Sequence, residues 1–157
     1  MTLEITYEDP GNVMALLDRR VFVQVRAGPL THASLDSAAD KVMSALSAQT
    51  KPIGALAVVN GDAGVMPPDI QARQKRLLGG MLARADASMA TVMLGTTVQA
   101  TAMRATGRVL MLGTRNIKHA KDINEATTWL ADRLGDITAG SIRDAVEALQ
   151  NKLRTQS

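Results

Sequence analysis

The sequence predicts an α/β fold: a small mixed, mostly parallel sheet of about five strands packed with helices, plus an extra C-terminal helix. Three observations carry this. At 157 residues, with 46% hydrophobic and 21% charged side chains, the chain has the size and composition of one globular core. Apolar runs of strand length alternate along it with apolar stripes repeating at three and four residues, the order that brings strands into parallel register through helical crossovers. Pro, Gly, Asn and Asp punctuate the chain where such units must turn.

The elements follow in order. Leu3 to Tyr7 alternates at period two and ends at Glu8-Asp-Pro-Gly-Asn12, a turn with proline preset and glycine free to take positive φ. An apolar run, Val13 to Leu17, is broken by Asp18-Arg-Arg20. After it Val21, Val23 and Val25 face one way and Phe22, Gln24 and Arg26 the other, a half-buried second strand. Gly28-Pro29 ends it. A helix capped by Thr31 or Ser34 turns Leu35, Ala38, Ala39, Val42, Met43 and Leu46 inward. Beyond Lys51-Pro52, Ile53 to Val59 is a continuous apolar run of the kind that fills an interior strand. Pro67-Pro68-Asp69 starts a helix with Ile70, Leu77, Leu78, Met81 and Leu82 as its stripe, weakened locally at Gly79-Gly80. Met89 to Leu94 is the next interior strand, and Val98, Ala102, Ala105, Val109 and Leu110 repeat helically. Arg115 to Lys121 suits an edge strand blunted by lysine. Asp122 to Glu125 has capping-box spacing before Ala126, Trp129, Leu130 and Leu134. A last helix, read from Ser141, carries Ile142, Val146, Leu149 and Leu153 on one stripe. The division that follows is an α/β domain over 1–137 and a C-terminal helical extension of the same domain over 138–157.

Composition excludes much chemistry. The chain has no cysteine, which removes disulfides, thiol catalysis, thiolate zinc sites and iron–sulfur clusters. Tyr7, Phe22 and Trp129 are its whole aromatic inventory, a poor platform for stacking single-stranded nucleic acid, so no specific nucleic acid is expected. The longest uncharged stretch, Ala87 to Met103, is interrupted by Ser88, Thr91, Gly95, Thr96, Thr97, Gln99 and Thr101, too polar to span a bilayer. The opening Met1-Thr-Leu-Glu-Ile5 has no basic region leading into an apolar run, so a cytoplasmic location is expected. No Gly-x-x-x-x-Gly-Lys, Gly-x-Gly-x-x-Gly or Gly-x-Ser-x-Gly motif occurs, and no cofactor is assigned.

The two opening strands, the Val21-to-Gly28 strand closing on Gly28-Pro29-Leu30 before an amphipathic helix, and three strand–helix units ending in Glu125-Ala-Thr-Thr-Trp-Leu130 together resemble the STAS-like superfamily of anti-sigma-factor antagonists, nearest to its SpoIIAA-like bacterial branch. The resemblance covers roughly residues 3 to 134. It implies a small sheet with helices against it and a non-catalytic switch or binding module. In classical members it also implies a phosphorylated serine in an Asp-Ser-Ser-Gly-like motif where the second helix begins. Here that loop reads Asn60-Gly-Asp-Ala-Gly-Val-Met-Pro-Pro68, with no serine or threonine. Asp62 does not simply inherit the role.

The remaining candidates are few. His32 stands four residues before Asp36, and His119 lies between Lys118 and Ala120; both read as surface histidines outside any catalytic constellation. Gly61, Asp62 and Gly64 form a loop at the carboxyl edge of a strand, where open α/β sheets place ligands, but Asp62 would repel a phosphate. Asp62 with Asp69, and Glu8 with Asp9, read as turn and helix-start chemistry, and no metal is assigned. Charge is the exception: from Ile70 to Lys121 nine basic side chains face Asp86 alone, a local excess of +8 in a chain of net +3. If the helices beginning near Pro68 and Val98 are adjacent, Arg73, Arg76, Arg84, Arg104 and Arg108 form one basic surface that steers an acidic protein partner. A solvated helix face, a homodimer, a membrane surface or lipid ligand, and a small enzyme with its site at the Gly61 to Pro68 loop stay open beside that expectation.

Overall fold

The computed structural model of the chain describes residues 1–61, 63, 66–95 and 116–156. Six strands form one sheet in the order of the sequence: β1 (Leu3–Asp9), β2 (Asn12–Leu17), β3 (Val21–Arg26), β4 (Ile53–Asn60), β5 (Ala87–Leu94) and β6 (Ile117–Ala120). β1, β2 and β3 pair antiparallel, and β3 through β6 pair parallel. The α/β class and the mostly parallel sheet are those the sequence predicts, and the two continuous apolar runs are the neighbouring interior strands β4 and β5.

One strand exceeds the sequence count. Asn12–Leu17, left without an element in the reading above, is β2, and all six of its residues are buried. Met14 and Leu16 enter one core while Val13, Ala15 and Leu17 enter the other, so both faces are covered and no polar alternation marks the strand. The turns differ as well. Gly11 needs no positive φ; a Cβ there would lie 3.0 Å from the Cα of Gly28, whose own Cβ would lie 3.2 Å from the Cα of Gly11. The two glycines let the ends of β2 and β3 touch, and Gly11 O accepts from the N–H groups of Ala27 and Gly28. Positive φ falls instead on Asp18 (51°) and Arg19 (55°) in the β2–β3 loop.

Helices cover both faces. On one lie α1 (His32–Ser37), a π-helical stretch (Ala38–Met43), α2 (Ser44–Ser47) and α3 (Pro68–Leu82). The first three carry the stripe foreseen at Leu35, Ala38, Val42 and Leu46, which are buried together with Ala45, while Ala39 and Met43 are half-buried. Thr31 and Ser34 share the cap: the Thr31 hydroxyl accepts from Ser34 N–H and the Ser34 hydroxyl accepts from Thr31 N–H. Ser37 and Lys41 donate to the Thr6 carbonyl at an irregularity in β1, tying this layer to the sheet edge. The opposite face holds α4 (Ile123–Leu134) and α5 (Ala139–Thr155). Asp122 caps α4. Thr138, not Ser141, caps α5, accepting from the Ser141 N–H. Ile142, Val146 and Leu149 of α5 are buried in one core with Val13, Val23 and Leu130. The helix predicted around Val98 to Leu110 lies outside the described residues. Among the described residues no helix is long and apolar enough to cross a membrane.

Candidate functional site

α3 begins at Pro68, where the missing N–H leaves nothing unsatisfied, and its apolar stripe presses Ile70 and Met81 onto the sheet. The arginines of the helix and just after it differ in what they meet. Arg73 is clamped to α1, donating to the Asp36 carboxylate and to the carbonyl oxygen of His32. His32 Nε2 lies 3.0 Å from Asp69 Oδ2, and that hydrogen bond holds the Asp69 carboxyl below its ordinary value. His32 thus meets Asp69, and Asp36 meets Arg73. Arg84 is a clamp as well. It donates to the carbonyls of Leu46, Gln49 and Lys51 and forks onto Asp86 at 2.9 Å, which depresses the Asp86 carboxyl and raises the Arg84 guanidinium.

Arg76 is exposed and has no ion-pair partner among the described residues. It stands with Arg84 on the rim of a groove of about 360 Å³ between the π-helical stretch, α2 and α3. Met43, Leu77 and Met81 give the groove an apolar floor, and a Cβ built on Gly80 would meet nothing within 4 Å. Arg104 and Arg108 lie outside the described residues.

A second polar feature occupies the carboxyl edge of the sheet. Gly61 continues β4 and donates to the Leu94 carbonyl at 2.7 Å; Asp62 and Gly64 lie outside the described residues. Sequence reasoning missed the side chains nearby. Arg26, assigned to the polar face of β3, is only 5% exposed, and Asn12 is fully buried opposite it. Both lie beneath the helical layer of α1 to α3, together with Gln24, whose amide donates to Asn12 Oδ1 at 3.3 Å. Arg26 donates to the Gly28 carbonyl at 3.1 Å, and burial lowers its guanidinium below the ordinary value. The available signal was Gly28-Pro29-Leu30: a chain that folds over the end of β3 covers what that end carries. Gln24 also lines an apolar cavity of about 30 Å³ with Met14, Phe22, Leu30 and Leu35.

His119 is half-buried on β6, with Nδ1 2.9 Å from the Thr91 hydroxyl, not the exposed edge residue expected. Lys118 pairs with Glu125 at 3.7 Å. Neither histidine adjoins the carboxyl-edge cluster of Asn12, Gln24 and Arg26 through any hydrogen bond among the described residues. Comparison with protein-family models, with curated proteins and with solved structures finds no match.

Proposed function

We propose that the chain is a non-catalytic regulatory or protein-binding module of the bacterial cytoplasm, in keeping with its STAS-like resemblance, and that it receives an acidic protein partner in the groove beside α3. The observation that carries this reading is Arg76, an exposed cation without an ion pair among the described residues, on the rim of an apolar-floored groove. Arg73 and Arg84 contribute differently from the sequence expectation: their charges are largely answered by Asp36 and Asp86, and they hold the groove walls in place. An acidic side chain of the partner pairs with Arg76 while an apolar one enters over Gly80 between Met43 and Leu77. The excess of basic residues from Ile70 to Lys121 supplies the long-range attraction.

Filling the groove tests this. Gly80→Leu places a side chain in open space on an exposed helical turn, so it stabilises the fold by about 1 kcal/mol through helix propensity while occluding the docking site. A partner retrieved by affinity capture and re-expressed binds the wild-type chain, protects α3 from hydrogen exchange, and fails to bind Gly80→Leu. Undiminished binding to that stabilised variant would remove the groove from the interface.

A further inference from the structure

Arg26 and Asn12 form a register pair at the carboxyl end of β3, so their side chains leave the same face of the sheet as near neighbours. A guanidinium carries five N–H donors. At 5% exposure, Arg26 has one hydrogen-bond acceptor among the described residues, the Gly28 carbonyl, and no carboxylate paired with it. The Asn12 amide nitrogen is buried with no hydrogen-bond partner. Asp9, the carboxylate next in the same row, accepts from the Tyr7 hydroxyl at 2.7 Å and from Gly11 N–H at 2.8 Å. Buried cations and buried amide donors are ordinarily answered by an acceptor. Here two such donors, on adjacent strands, stand together at the edge where parallel sheets bind ligands.

We infer that Arg26 and Asn12 form a binding site for the oxyanion of a small amphipathic carboxylic acid. The carboxylate accepts from the remaining guanidinium N–H groups and from Asn12 Nδ2. Gln24, two residues before Arg26 on the same face, holds the Asn12 carbonyl oxygen and so keeps the amide nitrogen turned away from itself. The same Gln24, with Met14 and Phe22, opens onto the apolar cavity of about 30 Å³, room for a short alkyl segment. Gln24 thus borders both the Arg26–Asn12 pair and the cavity. Arg26 and Asn12 do not line the groove beside α3, whereas the cavity shares Met43 and Leu77 with it.

Proton–nitrogen correlation spectra of the whole chain, recorded during titration with sodium butyrate, sodium acetate and, in a separate arm, inorganic phosphate, test the assignment. Butyrate saturably shifts the Arg26 Nε–H and Asn12 side-chain amide resonances, and binds roughly ten-fold tighter than acetate because two further methylenes enter the cavity. Arg26→Met, which removes a buried charge and keeps an apolar stem, weakens butyrate about ten-fold or more. Asn12→Ala, with the guanidinium retained, weakens it by a smaller factor. Saturable binding of phosphate with none of butyrate overturns the carboxylate assignment in favour of a phosphate site. Absence of saturable shifts with any of the three, or butyrate binding unchanged in Arg26→Met, overturns the site itself.

Discussion

Arg20 shows how one buried side chain holds distant parts of the chain. It is 7% exposed, donates to the Pro52 carbonyl through Nε and Nη2 at 3.1 and 2.8 Å, and meets Asp136 at 2.6 Å, linking the β2–β3 loop to the entry of β4 and the end of α4. Arg20→Ala leaves the Pro52 carbonyl and Asp136 without these donors and is expected to destabilise the fold by about 2 kcal/mol in chemical denaturation. Asp136 is itself depressed, first by the Arg20 hydrogen bond, as Asp69 is by His32 and Asp86 by Arg84. Carboxyls lowered on folding contribute stability that is full above the unfolded-state value, about 4, and is lost as pH falls through the folded values. The chain therefore resists mild acidity and loses these contributions only below about pH 4. His32→Ala raises the Asp69 titration toward the ordinary carboxylate value, read by carboxyl-carbon shifts; an unmoved titration would show that His32 does not hold it. Gly28→Ala forces a Cβ to within 3.2 Å of the Gly11 backbone and is expected to lower stability by about 1–2 kcal/mol.

At the scale of elements, β2 carries the largest test of packing. Leu16 is 1% exposed between the sheet and the α1 to α3 layer, so Leu16→Ala opens a cavity and costs about 2–5 kcal/mol; a loss below 1 kcal/mol would mean the layer collapses onto the gap. This is also the strand that the sequence reading passed over, and the reason is physical. Strands exposed on one side, such as β1, announce themselves by alternation. A strand covered on both sides is a plain apolar run, readable in β4 because Lys51-Pro52 and Asn60-Gly61 bracket seven residues and lost in β2 because the run is shorter. Helix starts were more legible, since Thr31, Pro68 and Asp122 each act through local backbone geometry. The long-range side-chain contacts were not: the Arg73–Asp36 ion pair and the hydrogen bond from Arg84 to the Leu46 carbonyl span 37 and 38 residues, and only tertiary packing brings them together. Arg26 was hidden for the same reason, since its 5% exposure is set by tertiary packing and not by the alternation of its strand.

In the whole molecule the two faces of the sheet divide the work. The face under α4 and α5 is a core of valine, leucine, isoleucine and alanine, with Ser88 and Thr127 as buried polar residues answered by Arg133 and by the Ile123 carbonyl, whereas the face under α1 to α3 contains the Asn12, Gln24 and Arg26 row, the small cavity and the groove with Arg76. The basic excess between Ile70 and Lys121 within a chain of modest net charge is screened over about 8 Å at physiological ionic strength. The association rate of the proposed acidic partner with the wild-type chain and with Arg76→Glu, measured across a salt series, tests the proposed docking most directly, because Arg76 makes no ion pair among the described residues and its reversal leaves the Arg73 and Arg84 clamps intact. Docking beside α3 predicts an association rate that falls steeply with salt in the wild type, and a rate reduced at low salt with a flattened salt dependence in Arg76→Glu, at unchanged thermal stability. Equal rates and equal salt dependence in the two proteins would contradict it.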